Sequence, residues 1–431
     1  MILNFNITNF GSIKKQQTLS FEAERSGHLE NFYITKSGKH RILKIALIYG
    51  ANASGKTTVL KAFDFLRTIA VEPKDKKADE LDFHPYLFDK KSTKENSTLS
   101  IEFIQNGIKY FYEVEFNRKA IIKEILKSFD PNKALVYQRT TDLTNQFSKI
   151  DFGGKIKINK TTLRTLEANT LWNNSVLGGY LKTNIEIKEL KEVSDWFKDY
   201  LRPLVFPSSQ LDGFITSLID KGKIKKENVL TILRKADLNI SNIIIDKEEK
   251  DIPGEILELL ENNTVIPDNE LEILKKKKKI TSIKLGLEHL VDGKKYTLPF
   301  ALESAGTKRF YGFAGLLNLL ITEQNAFPID ELAASLHPDL YQYFLLIFLA
   351  NAKNSQIIAT THNRELLNDK DMIRDDVLWI TDKSKNAYTE LYSFADFDSS
   401  VIRDSTNRLN AYKSGKLGGV PNVSDYYLDL D

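Results

Sequence analysis

The chain has 431 residues, of which 42% are hydrophobic and 28% are charged, a balance typical of a globular protein with two or three structural units. It contains no cysteine, which excludes disulfides, thiolate metal sites and catalysis by a cysteine nucleophile. The net charge of +3 neither requires nor excludes a nucleic acid partner.

The apolar stretches of the chain are short. The first residues lack the basic start and the continuous apolar core of a signal peptide. The longest apolar-rich stretches, residues 310–321 and 343–350, are shorter than the ~18 residues that a membrane span needs. We therefore expect a cytoplasmic protein with no membrane partner.

The N-terminal part predicts two kinds of strand. Leu3, Phe5 and Ile7 alternate with other residues, as in a half-buried antiparallel strand, and residues 17–21 form a second candidate. Residues 45–49 are continuously apolar, which is typical of a strand covered on both faces. A glycine-rich loop and then apolar residues at helical spacing follow, so the order is strand, loop, helix.

The rest of the chain predicts three further regions. Residues 97–116 predict a hairpin around Asn106-Gly107, and residues 120–152 predict more strands. The middle, residues 160–261, predicts mainly helices, at 186–200 and 226–236, without a sustained heptad or an internal repeat. Beyond it we predict strands at 280–285, 295–299, 356–361, 377–381 and 389–392, and helices at 308–322 and 338–352.

These patterns give a domain prediction: an N-terminal lobe over residues 1–155, a mainly helical insertion over 156–265 and a C-terminal lobe over 266–431. The tail after Asn410 is rich in Gly, Ser and Asp and predicts a loop. Its apolar and aromatic residues could nevertheless dock onto the protein; they are Leu417, Val420, Tyr426, Tyr427 and Leu428.

The loop after the buried strand has the pattern Gly-x-x-x-x-Gly-Lys-Thr. Gly50 and Gly55 permit backbone angles and a close approach that a Cβ atom would block. Successive amides and the start of the following helix can then cradle phosphates. Lys56 is predicted to reach the terminal phosphates, and the Thr57 hydroxyl to coordinate Mg²⁺. The loop residues are Gly50, Ala51, Asn52, Ala53, Ser54, Gly55, Lys56 and Thr57.

A second candidate anion site lies at the predicted start of a later helix. Ser304, Gly306 and Thr307 stand there, and free helix amides could bind an anion beside them. A simple helix cap formed by Ser304 or Thr307 explains the same residues. The motif alone leaves both interpretations open.

An acidic pair follows the apolar stretch that ends at Ile329. Asp330 could hold Mg²⁺, directly or through water, and Glu331 could position or deprotonate an attacking water. An acidic turn that ends a strand is the alternative. Pro328 has no backbone N–H, so the strand that contains it must be short or irregular.

A histidine, His362, follows the buried strand predicted at 356–361. At that position its ring could contact a γ-phosphate. A structural histidine with satisfied hydrogen bonds is the alternative, and its order in the chain after the acidic pair favours the phosphate contact.

Together these motifs resemble those of ABC-type ATPases of the RecF, SMC and overcoming-lysogenization-defect branch. The resemblance assigns Walker A to residues 50–57, the signature to 304–307, Walker B to 329–331, the D-loop to 335–338 and the switch histidine to 360–362. The opening residues 2–13 resemble the N-terminal strand of that branch rather than a transporter subunit. The tail, residues 412–421, resembles that of bacterial RloA-like proteins, which are grouped with abortive-infection and anti-phage ATPases.

The resemblance covers roughly residues 1–120 and 280–431. It implies an α/β head with a mixed sheet flanked by helices, an antiparallel β subdomain and a helical insertion. It also implies that ATP and Mg²⁺ bind between two copies of the chain, so that ATP drives formation of a homodimer or a higher homo-oligomer. ATP would lie on residues 50–58, which include Thr58, and Ser304, Gly306 and Thr307 of a second protomer would close over its γ-phosphate. Residues 335–337 would lie at the dimer interface.

The sequence departs from the family pattern at three points. The signature Ser304-Ala-Gly-Thr lacks the glycine pair of transporters. No glutamine lies between the P-loop and Ser97, where His84 and Pro85 stand instead, which bears on metal coordination and hydrolysis rate. No cluster of nuclease-type carboxylates follows His362, so we expect no nuclease domain in cis.

Three functions fit these observations. The first is an ATPase switch of a prokaryotic defence system that controls a separate effector, such as a nuclease or a Toprim-like protein, through the helical middle region. The second is a RecF-like clamp that holds DNA across the ATP-bound dimer, where the lysine run 275–279 could contact phosphates or could be a solvated face. The third is an antitoxin-like or scaffold component that binds ATP and hardly hydrolyses it.

Overall fold

The structure is a computed structural model that describes residues 1–236, 238–254, 256, 272, 276, 279–369, 371–397 and 408–421. The chain divides into two compact units. The first consists of Met1–Ser209, Leu320–Ala334 and Leu345–Asp431, and the second of Gln210–Leu319 and Ser335–Phe344. Within the lysine run 275–279 only residues 276 and 279 are described, and the tail residues Tyr426, Tyr427 and Leu428 lie outside the described part.

The strands are named in chain order. They are β1 (Ile2–Thr8), β2 (Gln17–Ser20), β3 (Ile34–Ser37), β4 (His40–Leu43), β5 (Ile45–Gly50), β6 (Ser97–Gln105), β7 (Ile108–Phe116), β8 (Ile121–Phe129), β9 (Lys133–Asp142), β10 (Phe147–Phe152), β11 (Ile240–Asp251), β12 (Lys279–Val291), β13 (Lys294–Pro299), β14 (Ala326–Ile329), β15 (Gln356–Thr360), β16 (Leu378–Lys383) and β17 (Thr389–Ser393).

The helices are likewise named in chain order. They are α1 (Glu30–Tyr33), α2 (Lys56–Val71), α3 (Lys160–Asn169), α4 (Val176–Leu181), α5 (Lys188–Asp195), α6 (Leu211–Asp220), α7 (Lys226–Lys235), α8 (Ala305–Thr322), α9 (Pro338–Asn351) and α10 (Arg408–Lys413). A π-helical turn, Trp196–Tyr200, continues α5. Short 3-10 turns lie at Ser92–Lys94, Phe300–Leu302, Glu365–Asn368, Asp375–Val377 and Phe394–Asp396. Among the described residues, no helix is long and apolar enough to cross a membrane.

The first unit contains a seven-stranded antiparallel sheet in the order β10-β9-β8-β7-β6-β1-β2. Leu3, Phe5 and Ile7 of β1 are buried while the residues between them are half-buried, so the predicted alternation is confirmed. The Phe5 ring stacks on Phe63 of α2 at a centroid distance of 3.8 Å. Such buried aromatic side chains each contribute roughly 1.5–3 kcal/mol, so this contact fixes the sheet against the helix that follows the P-loop.

The predicted hairpin between β6 and β7 is confirmed. The two strands are antiparallel and close at the pair Gln105 and Ile108. Asn106 and Gly107 both have positive φ, at 51° and 79°, which is the backbone of a two-residue hairpin turn. An asparagine and a glycine adopt this left-handed backbone more readily than other residues, so the dipeptide explains the position of the turn.

A mixed five-stranded sheet in the order β14-β15-β5-β16-β17 forms the other layer of the first unit. The first four strands are parallel, and β17 pairs antiparallel with β16. Every residue of β5 is buried, as its continuous apolar pattern predicts for a central strand. The buried Gln356 side chain links the two sheets, because it bonds the backbone of Ile2 and accepts from the Tyr200 hydroxyl.

The strand that contains Pro328 is short and lies at the sheet edge, as its missing donor requires. The free edge of β14 is covered by the segment from Leu201 to Val205. The Pro328 carbonyl accepts from the Val205 amide at 2.9 Å, and the Asp330 amide donates to the Val205 carbonyl at 2.8 Å. Since the N–H and C=O of a strand residue point to the same side, the absent N–H of Pro328 faces this irregular segment rather than β15.

The second unit contains a three-stranded antiparallel sheet, β11-β12-β13, together with α6 and α7. The prediction of helix through residue 261 is wrong for Ile240–Asp251, which forms β11. Its isoleucines favour a strand, and β12 supplies hydrogen-bond partners from a segment about 40 residues later in the chain. The predicted helix at 226–236 is confirmed as α7.

Candidate functional site

The P-loop joins the central strand β5 to α2, and three of its residues have backbone angles with positive φ. These are Gly50 (155°), Ala53 (61°) and Gly55 (107°). A Cβ atom at Gly55 would clash with the Thr389 side chain on β17, so glycine is required there. Lys56 begins the helix, is buried, and donates from Nζ to the carbonyls of Gly50 and Ala51 at 3.0 Å each. The predicted strand-loop-helix order is therefore confirmed.

The first acid of the pair lies beside the P-loop. Asp330 is buried, and the Thr57 hydroxyl donates to its two carboxylate oxygens at 3.2 and 3.1 Å. The Thr360 hydroxyl donates to Asp330 Oδ1 at 2.6 Å. The carboxyl ends of the parallel strands β14, β15 and β5 meet at one sheet edge, which is where ligands bind in open α/β sheets.

The second acid has a strained backbone. Glu331 has φ 49°, which is uncommon for a residue with a Cβ atom. Its amide donates to Thr360 Oγ1 at 2.8 Å, and its carbonyl accepts from the Ala334 amide at 2.8 Å. These two bonds hold the backbone of Glu331 in the left-handed conformation, and its side chain stays exposed. The carboxylate of Glu331 is therefore accessible to a water molecule.

His362 follows β15 and lines one cavity with Glu331. Partial burial and the nearby Lys56 cation lower the pKa of His362, and Glu331 opposes this shift. Burial also lowers the pKa of Lys56, against the opposing Asp330 and Glu331 charges. A lowered histidine pKa favours the neutral ring near pH 7, which donates from one nitrogen and accepts at the other.

The predicted signature residues Ser304, Gly306 and Thr307 belong to the second unit. The Thr307 amide donates to Ser304 Oγ at 3.0 Å, so Ser304 caps α8 as the simpler interpretation requires. A Cβ atom at Gly306 would approach the Ser335 carbonyl to 3.3 Å, so the signature packs on the predicted D-loop segment. The preceding Glu303 is buried and pairs with His289 at 2.7 Å.

Sequence patterns missed a hydroxyl network that braces the P-loop. Thr381 Oγ1 lies 2.6 Å from Ser54 Oγ, and the Thr389 hydroxyl donates to the Ser54 carbonyl at 2.8 Å. Ser12 Oγ lies 3.0 Å from Thr58 Oγ1 and 2.8 Å from Thr389 Oγ1. Threonines in candidate strands were the only signal for this network, because the strand order that places them together is absent from local sequence.

The segment between the P-loop and Ser97, which contains no glutamine, packs on the turn after β1. The His84 carbonyl accepts from the Gly11 amide at 2.7 Å, and the Tyr86 amide donates to Asn9 Oδ1 at 3.1 Å. His84 itself is exposed. These contacts give this segment a structural role beside the turn after β1.

Comparison with known proteins agrees with this geometry. Residues 45–154 and 193–368, more than half of the chain, match the family described as "AAA domain, putative AbiEii toxin, Type IV TA system". The chain belongs to this family. Membership confirms the ATP-binding AAA class that the motifs predicted, and no curated protein matches this AAA-family chain in sequence.

Three solved structures are similar to this AAA-family chain over 91% of its length. The SMC head domain from Thermotoga maritima has 14% identity, a TM-score of 0.39 and 98% of its chain covered. An Smc head bound to the C-winged helix domain of ScpA has 13% identity, a TM-score of 0.42 and 97% covered. An Smc head with an extended coiled coil, bound to the C-terminal domain of ScpA derived from Pyrococcus furiosus, has 13% identity, a TM-score of 0.37 and 96% covered.

The donor set of the AAA-family site suits a hard cation that is shared with phosphates. Thr57 and Asp330 present oxygen atoms at one point. Among the described residues, no group of three or more His, Asp or Glu could hold a metal by itself. Mg²⁺ binds through one or two protein ligands with substrate phosphates and waters, so this set fits Mg²⁺ that arrives with a nucleotide.

Replacing Thr360 with valine is expected to lower ATP turnover at least about tenfold in this AAA-family protein. The hydroxyl bonds the Asp330 carboxylate and the Glu331 amide, and hydrogen bonds to charged groups contribute roughly 1.5–3 kcal/mol. Phosphate release from Mg-ATP measures the effect. Thr361→Val is the control, because the equally buried Thr361 hydroxyl accepts from the Asn363 amide and bonds neither acid in the described part of the chain. Equal rates in the two variants would contradict the proposed role of Thr360.

Proposed function

We propose that this protein binds and hydrolyses ATP, and that ATP closes two copies of the chain into a dimer that controls a separate effector protein. The observation that carries the proposal is the convergence of Thr57, Asp330, Glu331 and His362 on the strand edge that holds the P-loop. Release of phosphate from Mg-ATP by the purified protein is the direct test. No release, together with no ATP binding, would refute it.

The residues of this site would together hydrolyse the γ-phosphate of ATP. Water attacks the γ-phosphorus, the bond to the β-phosphate oxygen breaks with its electron pair on ADP, and Glu331 accepts the proton of the water. Lys56 and the loop amides bind the phosphates, and His362 contacts the γ-phosphate. Thr57 and Asp330 would hold Mg²⁺, which neutralises phosphate charge when it is bound.

The dimer is proposed because the phosphate-binding residues of this protein fall into two sets. The loop and the acids belong to the first unit, and Ser304, Gly306 and Thr307 belong to the second. Ser304 is exposed and its Oγ caps the Thr307 amide, so its hydroxyl hydrogen and the earlier amides of α8, those of Ala305 and Gly306, can donate to an anion. We assign these residues to the γ-phosphate of a partner copy, and residues 335–337 to the interface.

Ser304→Arg is expected to block ATP-dependent dimer formation and to leave ATP binding by the monomer within about threefold. The bulky cation would occupy the space that the partner's nucleotide needs. Light scattering with size-exclusion chromatography, with and without Mg-ATP, measures the dimer. Ser304→Ala is the matched control, because it loses the same helix cap, worth roughly 1 kcal/mol, without adding bulk. Dimers of the arginine variant with ATP would exclude the trans role of Ser304.

We further propose that the effector acts in bacterial anti-phage defence in the cytoplasm, and that the helical part of residues 156–265 receives it. The motif resemblance to RloA-like proteins supports this role. A neighbouring gene for a nuclease or a Toprim-like protein, whose product co-purifies with this chain in an ATP-dependent manner, is the expected result. Co-purification that is equal with and without ATP would contradict control of the effector by ATP.

A second candidate is an ATP-binding component of a toxin–antitoxin system with negligible turnover. The family description, which names an AbiEii toxin and a type IV system, favours it. The turnover rate separates the two candidates. A rate that is already negligible and is unchanged by Glu331→Gln favours the toxin–antitoxin component.

A further inference from the structure

The C-terminal segment from Arg408 to residue 421 docks beside the start of the P-loop. Leu417 and Tyr412 are buried, as expected of a tail that could dock. Gly419 has φ 67°, and a Cβ atom there would lie 2.6 Å from Ile380 Cγ2 and 3.4 Å from the Gly50 Cα atom. The Tyr412 hydroxyl donates to the Gly419 carbonyl at 2.8 Å, which closes the segment on itself. The tail is therefore part of the wall around the P-loop.

The buried Tyr412 also positions a basic residue. Its ring packs edge-on against Tyr49, with the centroids 6.1 Å apart. The guanidinium of Arg364 lies 5.6 Å from the Tyr412 ring centroid, within the range of a cation–π contact. Arg364 is exposed and follows His362 by two residues. The tail thus holds an arginine beside the switch histidine.

A cavity of about 500 Å³ joins these residues to the proposed catalytic groups. Its lining comprises Glu331, Ala333, Ala334, His362, Asn363, Arg364, Glu365 and Lys413. Lys413 ends α10 and is exposed. The cavity is thus lined by two carboxylates, Glu331, which would activate water, and Glu365, and by two cations from separate segments of the chain.

Neither cation is neutralised by an ion pair in the described part of the chain. Arg364 and Lys413 have no carboxylate within ion-pair distance there, whereas Arg408 in the same tail pairs with Asp375 at 2.8 Å. An unpaired arginine and an unpaired lysine that face one cavity are suited to bind a phosphate group, because their N–H donors make charge-assisted hydrogen bonds with its oxygens.

We propose that Arg364 and Lys413 bind the inorganic phosphate that ATP hydrolysis releases, in the cavity lined by Glu331 and His362. This inference rests on the proposed ATPase function and adds a product site to it. Phosphate bound there would contact the cavity that holds Glu331 and His362, and none of the P-loop residues lines that cavity. The tail then connects the bound phosphate to the start of the P-loop, because Tyr412 packs on Tyr49 and Gly419 lies against Gly50.

The test titrates inorganic phosphate into the full-length protein saturated with ADP and Mg²⁺, followed by isothermal titration calorimetry. Lys413→Gln is expected to weaken phosphate binding at least about tenfold, as expected for loss of a charge-assisted hydrogen bond. Lys413→Arg should restore binding to within about threefold. Lys416→Gln is the matched control, because Lys416 is exposed in the same tail and does not line the cavity. Lys413 is exposed, so its variants are expected to fold, and their thermal melting checks this.

ATP binding by the wild-type protein is measured first, so that failure of the ATPase proposal can be distinguished from failure of the phosphate site. Wild-type protein that binds ATP but takes up no phosphate in its ADP-bound form overturns the product site and leaves the ATPase proposal intact. Equal phosphate affinity in wild-type protein, Lys413→Gln and Arg364→Gln also overturns it. Protein that binds no ATP refutes the ATPase proposal, and the product site falls with it.

Discussion

Glu331→Gln is expected to lower the ATP turnover rate by about 10²–10⁴-fold, the usual contribution of a general base. Glutamine keeps the size of the side chain but cannot accept the proton of the attacking water. Glu331 is exposed, and its backbone is held by Thr360 and Ala334 through main-chain groups that the substitution retains. The fold and the ATP affinity should therefore change little, and ATP-bound dimers should accumulate because the release step is blocked.

The measurements are phosphate release, ATP affinity by calorimetry, and mass by light scattering in the presence of Mg-ATP. Glu365→Gln is the matched control, because Glu365 is a second exposed carboxylate that lines the same cavity. It should keep turnover within about threefold of wild type. A Glu331→Gln variant with wild-type turnover would falsify the assignment of Glu331 as the base.

Lys56→Ala is expected to weaken ATP binding at least about a hundredfold. The ammonium group would donate to the terminal phosphates, and each hydrogen bond to a charged group contributes roughly 1.5–3 kcal/mol, where 1.4 kcal/mol is a tenfold change. Lys56 Nζ donates to the carbonyls of Gly50 and Ala51, and an ammonium group has three donors, so one N–H remains for the nucleotide. Calorimetric titration with Mg-ATP measures the affinity.

Lys61→Ala controls for loss of a lysine from the same helix, since Lys61 is exposed and lies five residues further along α2. It should bind ATP with wild-type affinity. The thermal melting of each variant separates lost binding from lost fold, because alanine at position 56 leaves two loop carbonyls without their donor. Tight Mg-ATP binding by folded Lys56→Ala protein would mean that the loop is not the nucleotide site.

The strand, loop and helix around the P-loop were predictable because each depends on residues that are adjacent in the chain. A buried strand has to be apolar on both faces, and the backbone of Gly55, with φ 107°, favours glycine over residues that carry a Cβ atom. The Asn106-Gly107 turn was predictable for a similar reason, since the turn depends on the backbone angles of two adjacent residues. Such features are encoded within a few residues of one another.

The β11 strand marks the limit of this approach. Its isoleucines follow the helix α7, and the strand depends on pairing with β12, which lies much later in the chain. The same limit applies to Thr360, Thr381 and Ser12, whose roles depend on which strands are neighbours in a sheet. Long-range pairing of this kind leaves little trace in a short window of sequence.

The sequence by itself determined the P-loop, the acidic pair after Ile329, the histidine at 362 and the family to which they belong, because each motif depends on neighbouring residues. The tertiary structure decided that Thr360 bonds both members of the acidic pair, and that the tail brings Lys413 to the cavity of Glu331 and His362. Parallel strands distant in the chain end at a common sheet edge, so only folding brings Thr360 within hydrogen-bonding reach of the acidic pair.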